Sequence, residues 1–171
     1  MNEKRELAAG AERFAPAEFD IANLQDEIRA DGLCRELLGI FCRHLVETEK
    51  LPPARAGALA HGADYFLREF VIPDRRENIF RLRPGRVRQF AGNWYIVRNL
   101  EPNLAELTSI LDGVAAFYGW CCDRGLVEAA VADAVRSDCG EHAFYGARIE
   151  AFWAITGDGY EAWERACTLK D

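Results

Sequence analysis

Apolar residues recur at helical spacing along most of the chain, and the longest such pattern follows Asn103. Asn103 is a favourable N-cap, Glu106 stands three residues later as in a capping box, and Gly125 suits the position just beyond a helix end. Apolar residues at steps of three and four bury one face of a helix against its neighbours. This stripe comprises Leu104, Leu107, Leu111, Val114, Tyr118 and Cys121.

Proline and glycine divide the rest of the chain into further predicted helices. Asp31-Gly32 is expected to end a helix over residues 17–30, and Leu51-Pro52-Pro53 to end another over 33–48. The buried face of the first helix is predicted to carry Phe19, Ile21, Leu24 and Ile28. The remaining helices are predicted from Pro53 to about Phe70, from Pro84 onward, over 126–137, over 141–155 and, briefly, after Tyr160.

The pattern as a whole predicts an all-α, single-domain bundle of seven or eight helices with short connections. Residues 78–83 are the exception, because apolar and charged residues alternate there, which is typical of a short strand or an extended loop. Residues 1–15 lack a strong apolar face and are predicted to be a flexible N-terminal tail. The helical domain is therefore expected to span residues 16–171.

The composition and net charge of the chain disfavour some functions and some cellular locations. The chain has 171 residues, half of them apolar, and a net charge of −7, which disfavours a general DNA-coating role. No apolar run approaches the roughly 20 residues that span a bilayer, and no signal peptide is evident. We therefore expect a cytoplasmic protein that does not insert into a membrane.

Charge is distributed unevenly, because the segment Arg68–Arg98 holds eight arginines, no lysine and only three acids. Two interpretations are open. Guanidinium groups could contact phosphates while neighbouring aromatics stack on bases, or the arginines could pair with acids elsewhere in the chain. The candidate nucleic-acid-binding residues are Arg75, Arg76, Arg81, Arg83, Arg86 and Arg88. The aromatics are Phe70, Phe80, Phe90, Trp94 and Tyr95.

A metal site is the third candidate. Cys121 and Cys122, followed by the Cys139-x-x-His142 pair, could supply four zinc ligands. Adjacent helical cysteines diverge by about 100°, however, and Cys121 lies on the core stripe, so packing is the competing interpretation. No HExxH, GxSxG, CxxC or glycine-rich phosphate motif occurs, so we expect no catalytic chemistry and no cofactor other than this zinc.

Residues 64–127 resemble the SAM-like helical core-binding domain of tyrosine recombinases and phage integrases. The similarity lies in the hydrophobic pattern and in the ending Phe117-Tyr118-Gly119-Trp120 followed by Gly125-Leu126-Val127. The resemblance implies a helical clamp that grips duplex DNA. The catalytic His-x-x-Arg box of that family is absent, and the chain is too short to hold a catalytic domain as well.

Three hypotheses of function follow. The first is a non-catalytic interaction or scaffold protein that binds a protein partner or a second copy of itself. The second is a nucleic-acid-binding module that uses the arginines of residues 75–88. The third is a small metal-dependent enzyme built around Cys121 to His142.

Overall fold

The computed structural model describes residues 12–167. Within this range the chain forms seven helices and no strand, so the prediction of an all-α bundle of seven or eight helices is confirmed. A single 3-10 turn, Pro16–Phe19, precedes them. The helices are α1 (Leu24–Glu47), α2 (Pro53–Asp64), α3 (Arg86–Gln89, continued by Phe90–Trp94 and Tyr95–Arg98), α4 (Leu104–Asp123), α5 (Ala129–Cys139), α6 (His142–Trp153) and α7 (Tyr160–Arg165).

The predicted helix end at Asp31-Gly32 is wrong, because a single helix, α1, passes through both residues. Asn23 caps α1 by accepting from the Asp26 amide at 3.0 Å, and the helix then runs unbroken through Gly32 to Glu47. A glycine inside a helix costs only about 1 kcal/mol, which burial of the following residues offsets. Those buried residues are Leu33, Cys34, Leu37, Leu38, Ile40, Phe41 and Leu45.

The predicted buried face near the start of α1 is also wrong in part. Phe19 is buried, but Leu24 and Ile28 are exposed by 63% and 57%. The first turns of α1 face the core through Ala30 instead, which lies about 200° around the helix from Ile28. Leu24 and Ile28 therefore form a small apolar patch on the surface.

Two helices contain π-helical turns. After beginning at Pro53 as predicted, α2 continues without a break into a π-helical segment, Tyr65–Val71, which ends before Pro73. The middle of α3, Phe90–Trp94, is π-helical as well. π-Helical turns are rare in proteins, and many of those that are found lie at functional sites.

Residues 78–83 form a loop that contains a turn and a bend, so the strand alternative is wrong and a loop is present. The Asn78 amide holds this loop, because it donates to the Pro16 carbonyl and to Asp20, both at 2.7 Å. Its side-chain oxygen also accepts from the Phe80 amide at 2.9 Å. Gly85, with φ of 84°, then turns the chain into α3.

The core is organised around the crossing of α2 and α4, where two glycines allow the backbones to touch. A Cβ on Gly113 would lie 2.2 Å from the Leu59 carbonyl oxygen, and one on Gly62 would lie 2.6 Å from the Ile110 carbonyl oxygen. The predicted cap of α4 is present, since Asn103 accepts from the Glu106 amide at 2.8 Å. Gly125, with φ of 69°, follows the end of α4 as expected.

At the C-terminal end, Arg148 of α6 joins two helices. Its guanidinium donates to the carbonyls of Gly92 (2.8 Å) and Trp163 (2.7 Å) and lies 3.9 Å from the centre of the Trp163 ring. Burial lowers the pKa of Arg148, which has no carboxylate partner among residues 12–167. Within the same range, no helix has both the length and the apolar character to cross a bilayer.

The predicted flexible tail lies largely outside the described residues, which begin at Glu12. Of its last four positions, Phe14 is packed in the core and Arg13 pairs with Glu36 of α1. The chain is therefore anchored from Arg13 onward.

Candidate functional site

All six candidate arginines are paired with carboxylates of the same chain. The partners come from the N-terminal turn, α1, the loop before α3 and the start of α6. Three of the ion pairs are local, and the other three connect distant parts of the bundle. The pairs and their N–O distances are Arg75–Asp74 (2.7 Å), Arg76–Glu27 (3.5 Å), Arg81–Asp20 (3.1 Å), Arg83–Glu77 (3.3 Å), Arg86–Glu77 (3.1 Å) and Arg88–Glu141 (2.9 Å).

The exposure of these arginines varies widely, from the buried Arg86 to the largely exposed Arg83. Arg86 is buried against Glu77 and donates to Gln89 at 2.7 Å, while Arg88 lies over the Phe144 ring at 4.7 Å. Arg83 and Arg81 remain 77% and 58% exposed. A continuous outward row of guanidinium groups is therefore not formed, and the two most exposed members belong to one short loop.

Most of the interleaved aromatics are structural. Phe70 and Phe90 are buried in one cluster with ring centres 5.5 Å apart, and Phe80 packs edge-on against Phe19. Tyr95 is buried too, and its hydroxyl donates to Glu106 at 2.6 Å and accepts from the Asn103 amide. Trp94 alone of the five keeps part of its ring accessible. The stacking surface that base recognition needs is therefore small.

An apolar groove runs between the loop of residues 80–87 and α5, and we call it the α5 groove. It comprises two neighbouring pockets that share Leu82 and Val131 in their linings, one of about 590 Å³ and one of about 200 Å³. Arg81 lines the larger part, Arg83 lines the smaller part, and Glu128 and Asp138 lie on the α5 side. The smaller part is lined mainly by Leu82, Pro84, Val87, Ala130, Val131, Ala134 and Val135.

One acidic group of the α5 groove has an altered pKa. Burial and the nearby charge of Glu141 raise the pKa of Asp138, and Arg88 opposes this effect. The Asp138 carbonyl also accepts from the Tyr145 hydroxyl at 2.6 Å. The end of α5 is thus fixed by hydrogen bonding while its last carboxylate borders the groove.

The four residues of the predicted zinc set are not gathered into a site. Among residues 12–167, no group of three or more His, Cys, Asp or Glu side chains is placed to hold a metal ion. Cys121 and Cys139 are buried in the core, and burial raises the pKa of both thiols. Cys122 is half-buried, and His142 lies beside Thr108, with Nδ1 and Oγ1 3.5 Å apart.

The sequence did not single out the groove-lining residues of α5. Their only signal is the small side chains of Ala130 and Ala134, one turn apart, beside Val131. Small residues on a helix leave room for a neighbour, but the loop that forms the opposite wall could not be placed from the sequence.

Comparison with known proteins adds no relative, since no family model, no curated protein and no solved structure matches this chain.

Proposed function

We propose that this protein is a non-catalytic interaction module that binds a segment of a partner protein in the α5 groove. The observation that carries this proposal is an apolar pocket bordered by Arg83, the most exposed arginine of the candidate set, with Arg81 lining the neighbouring pocket. Cytoplasmic location is part of the proposal. It is supported by six cysteines that are all free thiols, as is usual in a reducing compartment.

The smaller part of the groove suits one apolar anchor of the partner. A volume of about 200 Å³ accommodates a single large side chain, and its lining is mainly aliphatic. Protein interfaces draw most of their affinity from a few such anchors in water-excluding pockets. Leu82, Val87 and Val135 are already buried in the fold, so the pocket needs little rearrangement before binding.

The charges at the rim favour a carboxylate on the partner beside the anchor. Arg83 projects from the loop, and the one carboxylate that it meets among residues 12–167, Glu77, is shared with Arg86. An arginine at the edge of an apolar pocket is typical of interface hot spots. The opposite wall carries Glu128 and Asp138, which would repel a continuous phosphate backbone. An apolar residue with a single acidic neighbour placed at Arg83 fits this arrangement better than a nucleic acid, whose successive phosphates would also face Glu128 and Asp138.

The experiment selects peptides from a random display library on the wild-type protein and measures their binding to variants. Ala134→Glu and Ala130→Glu place a carboxylate over the pocket at exposed positions, and Ala129→Glu is the matched control on the same helix outside the groove. We expect the selected peptides to combine an apolar residue with Asp or Glu. Their affinity should fall at least about tenfold in the two groove variants and stay unchanged in the control.

Two outcomes would overturn the proposal. If Ala129→Glu weakens binding as much as Ala134→Glu, the peptides bind elsewhere. If the protein binds duplex DNA with an affinity that falls steeply with salt and depends on Arg81 and Arg83, it is a nucleic-acid-binding module. The second result would instead support the resemblance to the recombinase core-binding domain, which stays a prediction. A protein that is dimeric as purified, and that Ala134→Glu makes monomeric, would identify the occupant as a second copy.

A further inference from the structure

A second cleft, separate from the α5 groove, lies between the two π-helical segments. It has a volume of about 430 Å³ and is lined by Tyr65, Glu69, Pro73, Asp74, Trp94 and Arg98. Tyr65 and Glu69 belong to the first π-helical segment and Trp94 to the second, and we call the space the π cleft. Both π-helical segments therefore border the same cleft. Such segments are rare, and they are often found at functional sites.

The walls of the π cleft combine aromatic rings with carboxylates. The rings of Tyr65 and Trp94 meet at 69° with centres 6.1 Å apart and form a corner. Asp74 and Glu69 supply negative charge, and Glu69 has no ion pair or hydrogen bond among residues 12–167. Electron-rich ring faces beside carboxylates attract organic cations.

Arg98 occupies this environment in the described structure. Its guanidinium lies 5.3 Å from the centre of the Trp94 ring and 3.5 Å from Asp74. The interaction of Arg98 with Asp74 is weak, because Arg98 is 59% exposed and Asp74 already binds Arg75 at 2.7 Å. A guanidinium group thus fits the cleft, yet the one present is loosely attached.

We infer that the π cleft is a binding site for a guanidinium group from outside the chain, and that Arg98 competes for it. The incoming cation would stack on Trp94 and pair with Glu69, the unpaired carboxylate. Arg98 would then move into solvent, which its exposure allows. The guanidinium could belong to a small molecule or to an arginine of a partner protein, since both present the same planar cation.

The test titrates N-acetyl-L-arginine amide into the protein and follows heat release together with the indole N–H signals of the four tryptophans. Trp94 lines the π cleft and the other three tryptophans do not, so its indole N–H signal is the one that should respond to binding. The neutral citrulline amide is the ligand control. Arg98→Ala should raise the affinity about tenfold by removing the competitor, and adding Glu69→Gln should reverse most of this gain.

Arg55→Ala is the matched protein control, because Arg55 is similarly exposed and pairs with Asp112 outside the cleft. The inference is wrong if Arg98→Ala leaves the affinity for the arginine amide unchanged, if citrulline amide binds equally well, or if Trp94 does not respond. Thermal melting confirms that each variant folds. A glycine-rich peptide with one central arginine then distinguishes the source: tighter binding than the free amide indicates a partner protein, and equal binding indicates a small molecule. Either result upholds the site.

Discussion

Arg86 and Glu77 form an ion pair that is almost completely withdrawn from water. The Arg86 Nε and a Glu77 carboxylate oxygen lie 3.1 Å apart, and the two side chains are only 9% and 10% exposed. The other carboxylate oxygen of Glu77 pairs with Arg83 at 3.3 Å. One carboxylate therefore fixes a buried arginine of α3 and an exposed arginine of the loop that lines the α5 groove.

Breaking this pair is expected to be costly. Within the described part of the chain, Arg86→Gln leaves the buried Glu77 with the exposed Arg83 as its one cationic partner. Loss of one member of a buried pair costs about 3–5 kcal/mol. Arg81→Gln is the control, because Arg81 is largely exposed and its pair with Asp20 should contribute less than about 1 kcal/mol. Urea unfolding measures both free energies. Equal, small losses would show that the Arg86–Glu77 pair does not hold the loop.

The crossing of α2 and α4 predicts a large effect from one methyl group. Gly113→Ala places a Cβ against the backbone of α2, where neither the Leu59 carbonyl nor the Ala63 amide can move alone. We expect destabilisation of about 3 kcal/mol or more, since overpacking forces backbone shifts. Gly119→Ala on the same helix meets nothing within 4 Å and should stabilise by up to about 1 kcal/mol. Similar unfolding midpoints for the two variants would contradict the close crossing.

Because several tyrosines are buried, we expect the free energy of unfolding to fall at alkaline pH. Burial raises the pKa of Tyr118, whose hydroxyl donates to the Ile79 carbonyl at 2.7 Å. The folded state keeps its proton while the unfolded tyrosine ionises near pH 10, so this contribution is present below about pH 10 and declines above it. Burial of Tyr95 and Tyr145 raises their pKa values too, so they act in the same direction.

Tyr118→Phe isolates this effect. At pH 7 the variant should be less stable by about 1 kcal/mol, because the Ile79 carbonyl loses its donor. Between pH 9 and 11 the wild type should lose stability faster than the variant, as followed by chemical unfolding at each pH. Parallel pH profiles for the two proteins would mean that Tyr118 does not stay protonated in the fold.

Thiol reactivity tests the placement of the cysteines. Burial raises the pKa of Cys34 and Cys121 and raises the pKa of Cys139 to about 12, so little reactive thiolate forms at neutral pH. Cys42 and Cys122 are half-buried. We expect a thiol reagent to label Cys42 and Cys122 first under native conditions, with the sites identified by mass spectrometry. Rapid labelling of Cys121 would contradict its core position.

Elemental analysis of the same purified protein addresses the zinc hypothesis. The predicted ligands are not brought together, so we expect no stoichiometric metal and no change in melting temperature with a chelator. One equivalent of zinc together with protection of Cys122 from labelling would revive the predicted site. A chelator-induced fall in melting temperature would support the same conclusion.

The elements that depend on neighbours in sequence were predictable. Asn103 caps α4 through an amide three residues away, Pro53 begins α2, and Gly125 adopts the left-handed conformation beyond α4. Each of these effects is local, so residue type and spacing suffice to identify it. The stripe of α4 is likewise visible in the sequence, because a buried helix face repeats with the period of the helix itself.

Elements that depend on distant contacts were not predictable. The sequence predicts a helix end at Asp31-Gly32, whereas α1 runs through Gly32 because the following Leu37 and Phe41 pack in the core. The exposed Leu24 and Ile28 show the same limitation, since periodicity identifies an apolar face without showing whether a neighbour covers it. The sequence also could not predict that the two π-helical segments border one cleft, because their relative position depends on how α2 packs beside α3.

The sequence by itself determined that this protein is a helical bundle with an unusual concentration of arginine. Only the tertiary structure decided what those arginines contact. Arg81 meets Asp20 across 61 positions of the chain, and Arg88 meets Glu141 after an intervening helix pair. Charge composition is a property of the chain, but the distance between opposite charges is set by the packing of the helices. That packing places the six candidate arginines against acids and leaves Arg81 and Arg83 beside an apolar groove.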